Sequence, residues 1–135
     1  MDIGDSYNDG GSKIENKKYD YIVGTPVSQE YINWAIGGRM GMNIVNTNPW
    51  ISSISKHVNG VSFREFSRTL IAAGDLELVR DQIMMLGEKM ERNIGAENVE
   101  FYLAQLAVHD FILLPWHEPE RTNGFEEIAA WVSTL

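Results

Sequence analysis

Two of the chain's three histidines stand in "AVHDFILLPWHEPE", residues 107–120, each followed directly by an acid: His109-Asp110 and His117-Glu118. Imidazole beside carboxylate suits acid–base work, because an unperturbed histidine exchanges its proton near neutral pH. The same groups are also good ligands for zinc or iron. His109 and Asp110 are therefore the candidate catalytic pair, and His57, His109 and His117 the candidate metal ligands.

Neither set is complete in the sequence. Pro115 keeps His109 and His117 off a common helix face, so only a turn could bring them together with Glu118. A histidine, a later His-Asp doublet and a distant aspartate is a metal-phosphohydrolase pattern. His57 and His109-Asp110 supply its first parts, but no aspartate follows residue 110. The absence of cysteine removes disulfides, thiolate zinc sites and a cysteine nucleophile. "GGRMGMN" follows an apparent helix rather than a strand and does not match a phosphate loop. There is no nucleophile elbow and no helical His-Glu-x-x-His pair. No cofactor is expected.

The elements that would position these groups are read as mainly α. The expected fold is a small single-domain helical bundle of about four to five helices, with room for one or two short strands in residues 19–61. Residues 1–18 are polar, without an apolar period, and read as a flexible N-terminal arm; residues 19–135 read as one globular helical domain. Ser28 can cap a helix over "QEYINWAI", which "GGRMG" ends. "SFRE" at 62–65 has the form of a capping box, followed by Phe66, Leu70 and Ala73 at helical spacing. Asp75 can cap a second helix striped by Leu76, Val79, Ile83, Leu86 and Met90. Residues 96–114, apolar around most of their circumference, read as a central helix stopped by Pro115, with "FEEIAAWV" a short final one. On that central helix His109 continues a polar stripe while Asp110 falls among leucines. Asp110 is therefore expected to face inward and to be paired with Arg64, Arg68, Arg80, an indole N–H, a metal or a neighbouring chain.

Charge separates the function classes. The net charge is −8, and residues 97–135 hold −6 of it, with Arg121 as their one base. Such a field repels phosphate backbones, so nucleic acid is not an expected partner. No apolar run approaches the roughly 20 residues of a membrane span, so no membrane role is expected either. Residues 1–20 lack the basic-then-apolar order of a secretory signal, and with no cysteine a cytoplasmic setting is expected.

The leading expectation is a small acidic protein-binding module: an accessory subunit, an inhibitor or an immunity-type antagonist. Glu118, Glu120, Glu126, Glu127 and Trp116 are its expected contact residues, facing a partner with a basic surface. Two alternatives stand beside it. One is a small metal-dependent or ligand-binding enzyme centred on His109 and Asp110; the other is a structural or assembly subunit, which a homo-oligomer without metal would favour.

Overall fold

"TLIAAG" and "VEFYLA" are short runs in which apolar residues face both ways, the pattern of strands covered on two sides. In the computed structural model, which describes residues 11–20, 31, 33–38, 44, 47–55 and 58–135, they are β1 (Thr69–Gly74) and β2 (Val99–Ala104). The two strands pair in parallel, Thr69 opposite Val99 through to Gly74 opposite Ala104. Parallel neighbours need a crossover connection. A helix, Arg80–Ile94, supplies it. With the short helical turn Ser12–Glu15 as α1, this crossover is α2, and the C-terminal helix Glu120–Val132 is α3.

Each sheet face has its own apolar cluster. Ile71, Val99 and Phe101 pack with Phe63, Leu86, Met90 and Ile94 on the α2 side. Tyr102 and Ala104 pack with Ala107, Phe111 and Ile112 in the other cluster. The helix stripe Ile83, Leu86, Met90 read from the sequence does lie on α2. Gly87 lets that helix sit close to the sheet, because a Cβ there would enter the Phe101 ring. Gly95, at φ +91°, closes the helix with its amide donating to Glu91 O at 2.9 Å.

The architecture is mixed α/β, which overturns the mainly-α bundle. The "SFRE" stretch does not start a helix. The Arg64 amide donates to Ser62 Oγ at 3.3 Å in a turn, and the chain then extends into β1. Helical spacing of Phe66, Leu70 and Ala73 was compatible with a short apolar run of either type. The helix expected over 96–114 is instead β2, flanked by the 3-10 turns Ala96–Asn98 and Phe111–Leu113. Its apolar residues serve both faces of the sheet, Val99 and Phe101 in one cluster and Tyr102 and Ala104 in the other. α2 begins at Arg80 rather than after Asp75, because residues 75 and 76 are used elsewhere: the Asp75 and Leu76 amides donate to Ala104 O and Ala107 O, each at 3.0 Å. α3 also starts earlier than "FEEIAAWV", at Glu120.

Of the expected arm, residues 1–10 lie outside the described residues, and residues 11–20 hydrogen-bond to the loop between β1 and α2. Of the helix expected over "QEYINWAI", Tyr31 is helical and residues 33–36 belong to the π-helical turn Asn33–Gly37; the rest lies outside the described residues. Among the described residues no helix is long and apolar enough to cross a membrane.

Gly74 joins the fold to the site. A Cβ on it would run into the Ala107 carbonyl, a backbone group that no rotamer change can withdraw. Gly74→Ala should therefore lower stability by about 1–3 kcal/mol through overpacking, read as a lower urea midpoint. A midpoint equal to wild type would show that the two loops are not in this contact.

Candidate active site

β1 and β2 end side by side, at Gly74 and Ala104, and the loops leaving them carry the candidate residues. Open parallel sheets place ligands at this carboxyl edge, where successive connections diverge. The first loop brings in Glu77 and the second His109.

Glu77 is 3% exposed, an unusual place for a carboxylate. One carboxylate oxygen, Oε1, accepts the Gly74 amide at 2.7 Å. The other, Oε2, lies 2.8 Å from His109 Nδ1, across 32 residues of sequence. An ionised carboxylate only accepts, so Nδ1 carries the proton of this bond and neutral His109 has its lone pair on Nε2. The His109 side chain is 22% exposed. Hydrogen bonding to Glu77 holds the His109 imidazolium above the ordinary histidine range. Burial opposes this, and the charges of Glu77, Asp110 and Asp20 add to it.

Asp110 does not face the interior. Its side chain is 54% exposed and its backbone is left-handed, φ +56°, where it caps the turn Phe111–Leu113. The expected partners Arg64, Arg68 and Arg80 do not pair with it; its charged neighbour is His109 Nε2, 3.6 Å from Oδ2. The inward residue of the doublet is the histidine, because the chain leaves β2 through a loop rather than continuing as a helix. Leu106 in that loop is also left-handed, at φ +58°. Left-handed backbone at residues other than glycine persists only where surrounding contacts hold it, and it clusters at functional sites. Here Ala107, fully buried, and Phe111, 2% exposed, anchor the loop from below.

A cavity of about 290 Å³ opens beside the pair, lined by Glu77, His109 and Asp110 at its polar end and by Ala72, Ile83, Phe111, Ile112 and Leu113 elsewhere. A mostly apolar cleft with a few convergent polar groups is the usual form of a small-molecule site.

The remaining candidates are dispersed. The His117 ring lies 6.4 Å from that of Phe111 at an inclination of 58°, and its Nε2 is buried with no hydrogen-bond partner. Among the described residues no three His, Asp or Glu side chains converge as metal ligands, so His109, Glu118 and His117 do not form the set considered from sequence. His57 lies outside the described residues. Glu118 accepts from the Thr122 amide at 3.1 Å and from Arg121 at 3.2 Å at the start of α3. Hydrogen bonding with the Thr122 side chain foremost, then with the Thr122 amide and Arg121, holds its carboxyl below the usual range. Glu126, Glu127 and Trp116 are exposed and Glu120 is half-buried. Glu77 was missed by the sequence reading; its signal was an acid three residues past a glycine that ends an apolar run.

Compared with known proteins, the chain matches no family model, no curated protein and no solved structure.

The pair has a pH signature. A histidine whose folded pKa is raised contributes stability that is fully present below its unfolded value of about 6.5 and is lost as pH rises through the folded value. In an NMR titration the His109 midpoint should lie above that ordinary value and drop in Glu77→Gln. The stability gap between wild type and Glu77→Gln should narrow as pH rises through the wild-type midpoint. A His109 midpoint unmoved by Glu77→Gln would refute the pairing.

Proposed function

We propose that Glu77 and His109 are the carboxylate–imidazole pair of a hydrolytic site, with His109 Nε2 as general base. One observation carries this reading: a buried, doubly hydrogen-bonded carboxylate orients Nδ1 at the carboxyl edge of a parallel sheet, so the lone pair of neutral His109 is on Nε2. Nε2 would take a proton from an attacking hydroxyl or water and, as imidazolium, return it to the leaving oxygen or nitrogen. Glu77 would hold the tautomer and stabilise the imidazolium without itself taking the proton. Chain order, acid before histidine, is that of serine hydrolases on α/β sheets, a fold-level analogy that supports the reading. The nucleophile is a water or a hydroxyl from outside the described site, since among the described residues no hydroxyl hydrogen-bonds to His109. The apolar cavity lining favours an ester or amide with a small uncharged apolar group, and the Asp110 carboxylate beside Nε2 disfavours anionic substrates.

The test is hydrolysis of p-nitrophenyl acetate and butyrate by the full chain. The rate should rise with pH through the His109 midpoint and fall about 10²-fold or more in His109→Gln. Glu77→Gln should also lose rate, because a carboxamide N–H turned toward Nδ1 moves the imidazole proton to Nε2. Hydrolysis insensitive to both substitutions would sink the proposal.

A second reading, contact with a basic protein, is favoured by Trp116 and Leu113, which are 70% and 72% exposed on the loop that leads to Glu118. In this reading Glu126 and Glu127 steer the encounter. Glu118 is already engaged by Arg121. Association with such a partner should slow as salt rises and after reversal of Glu126 and Glu127, with dissociation little changed. An on-rate indifferent to both would leave these acids as solvated surface only.

A further inference from the structure

The loop that carries Glu77 has polar backbone groups of its own to satisfy, and residues 12–20 satisfy many of them. Asn16 Nδ2 donates to two carbonyls, Asp75 O and Glu77 O, each at 2.9 Å. Ser12 Oγ donates to Leu78 O at 3.0 Å and accepts the Asp81 amide at 3.3 Å. The Ser12 amide in turn donates to Asp81 Oδ2 at 2.8 Å. Asp20 Oδ2 accepts the Leu78 amide at 2.9 Å. Outside this core, Glu15 pairs with Arg80 at 3.1 Å.

Ser12, Asn16 and Asp20 recur every four residues and are each 4% exposed or less, although they come from a strongly polar stretch. Burying three polar side chains is costly unless each finds a partner, and here the partners are backbone groups between Asp75 and Asp81. Asn16 is the central member. Its two bonds pin the carbonyls on either side of Leu76, and so set where the Glu77 side chain leaves the backbone.

We infer that Asn16, supported by Ser12 and Asp20, is a positioning residue for the Glu77–His109 pair. The segment 12–20 holds the Glu77 loop in the conformation in which one carboxylate meets both the Gly74 amide and His109 Nδ1. This rests on reading Glu77 and His109 as a functional pair. Without the Asn16 bonds the loop keeps its length and charge but loses its fixed backbone. Glu77 then leaves Nδ1, and the imidazole loses both its orientation and its tautomer.

The test is the His109 titration in the full chain, by NMR. The anionic groups acting on His109 are Glu77, Asp110 and Asp20. Asn16→Ala leaves all three in place, so any change reports geometry rather than charge. In folded Asn16→Ala the His109 midpoint should fall toward that of Glu77→Gln, and ester hydrolysis should fall with it. Val99→Ala, which cuts into the apolar cluster on the α2 side of the sheet, should destabilise the protein while leaving the His109 midpoint in place. A folded Asn16→Ala with the wild-type midpoint overturns the inference. Should Asn16→Ala fail to fold, hydrogen exchange on unaltered protein decides. The Gly74, Leu78 and Asp81 amides should open together, with one denaturant dependence. A Gly74 amide that stays protected after Leu78 has opened overturns it equally. The two failures are distinct: an absent pair leaves His109 unmoved by Glu77→Gln, whereas an absent positioning role leaves it unmoved by Asn16→Ala alone.

Discussion

A carboxylate that is 3% exposed has to be answered by donors, and the arrangement around Glu77 follows from that requirement. The Gly74 amide is the nearer donor, available because β1 ends there and its last amide turns into the loop. The His109 imidazole is the farther one, and it arrives only if β2 ends beside β1 in the observed register. Gly74 must lack a side chain for the two loops to touch, and the Asp75 and Leu76 amides then tie the first loop to Ala104 and Ala107 of the second. The left-handed backbone at Leu106 and Asp110 is the local cost of turning the second loop so that His109 points inward.

The electrostatics agree with that geometry. Three carboxylates, Glu77, Asp110 and Asp20, act on one imidazole, and burial is the opposing influence. Arg80, at the start of α2, is held by Glu15, Asp81 and the Asp75 carbonyl rather than by Glu77. Among the described residues, the group that can bring positive charge against Glu77 is His109, when protonated. Stabilising that ion, formed when the base has taken its proton, is what a general-base histidine requires of its surroundings.

What was legible in the sequence was local. The α2 stripe at Ile83, Leu86 and Met90 shows because a helix buried on one face writes its period into the chain. The breaks at Gly74 and Gly95 show because glycine marks the ends of elements. The strands were hidden for a physical reason: parallel strands covered on both faces lose their two-residue alternation, and "LIAAG" or "FYLA" then satisfies a helical wheel as well as a strand. That ambiguity carried through to the site. On a wheel, Asp110 joins Leu103, Leu106 and Leu113, so it was expected inside and His109 outside. The loop reverses the two. Glu77 was passed over because nothing local distinguishes it from a surface acid. Its role rests on contacts with residue 109 and, through Asn16, with a segment 61 positions away. The polar composition of residues 12–20 argued for an arm, whereas their side chains are spent on the backbone of another loop.

The reversal at the His109-Asp110 doublet also bears on what the site admits. Had both residues followed a helix, they would have diverged by about 100° and served different surfaces. With Asp110 in the left-handed region, its carboxylate returns to within 3.6 Å of Nε2, the nitrogen that Glu77 leaves open. An exposed carboxylate at that position does not neutralise the imidazole as a buried partner would, because water screens it. It does add negative charge to a cavity whose lining, apart from Glu77, His109 and Asp110, is apolar. On the proposed hydrolytic reading, burial gives the two carboxylates beside this histidine different roles: Glu77, buried and doubly hydrogen-bonded, would orient the base, while Asp110, exposed beside Nε2, would bias the approach to it against anions.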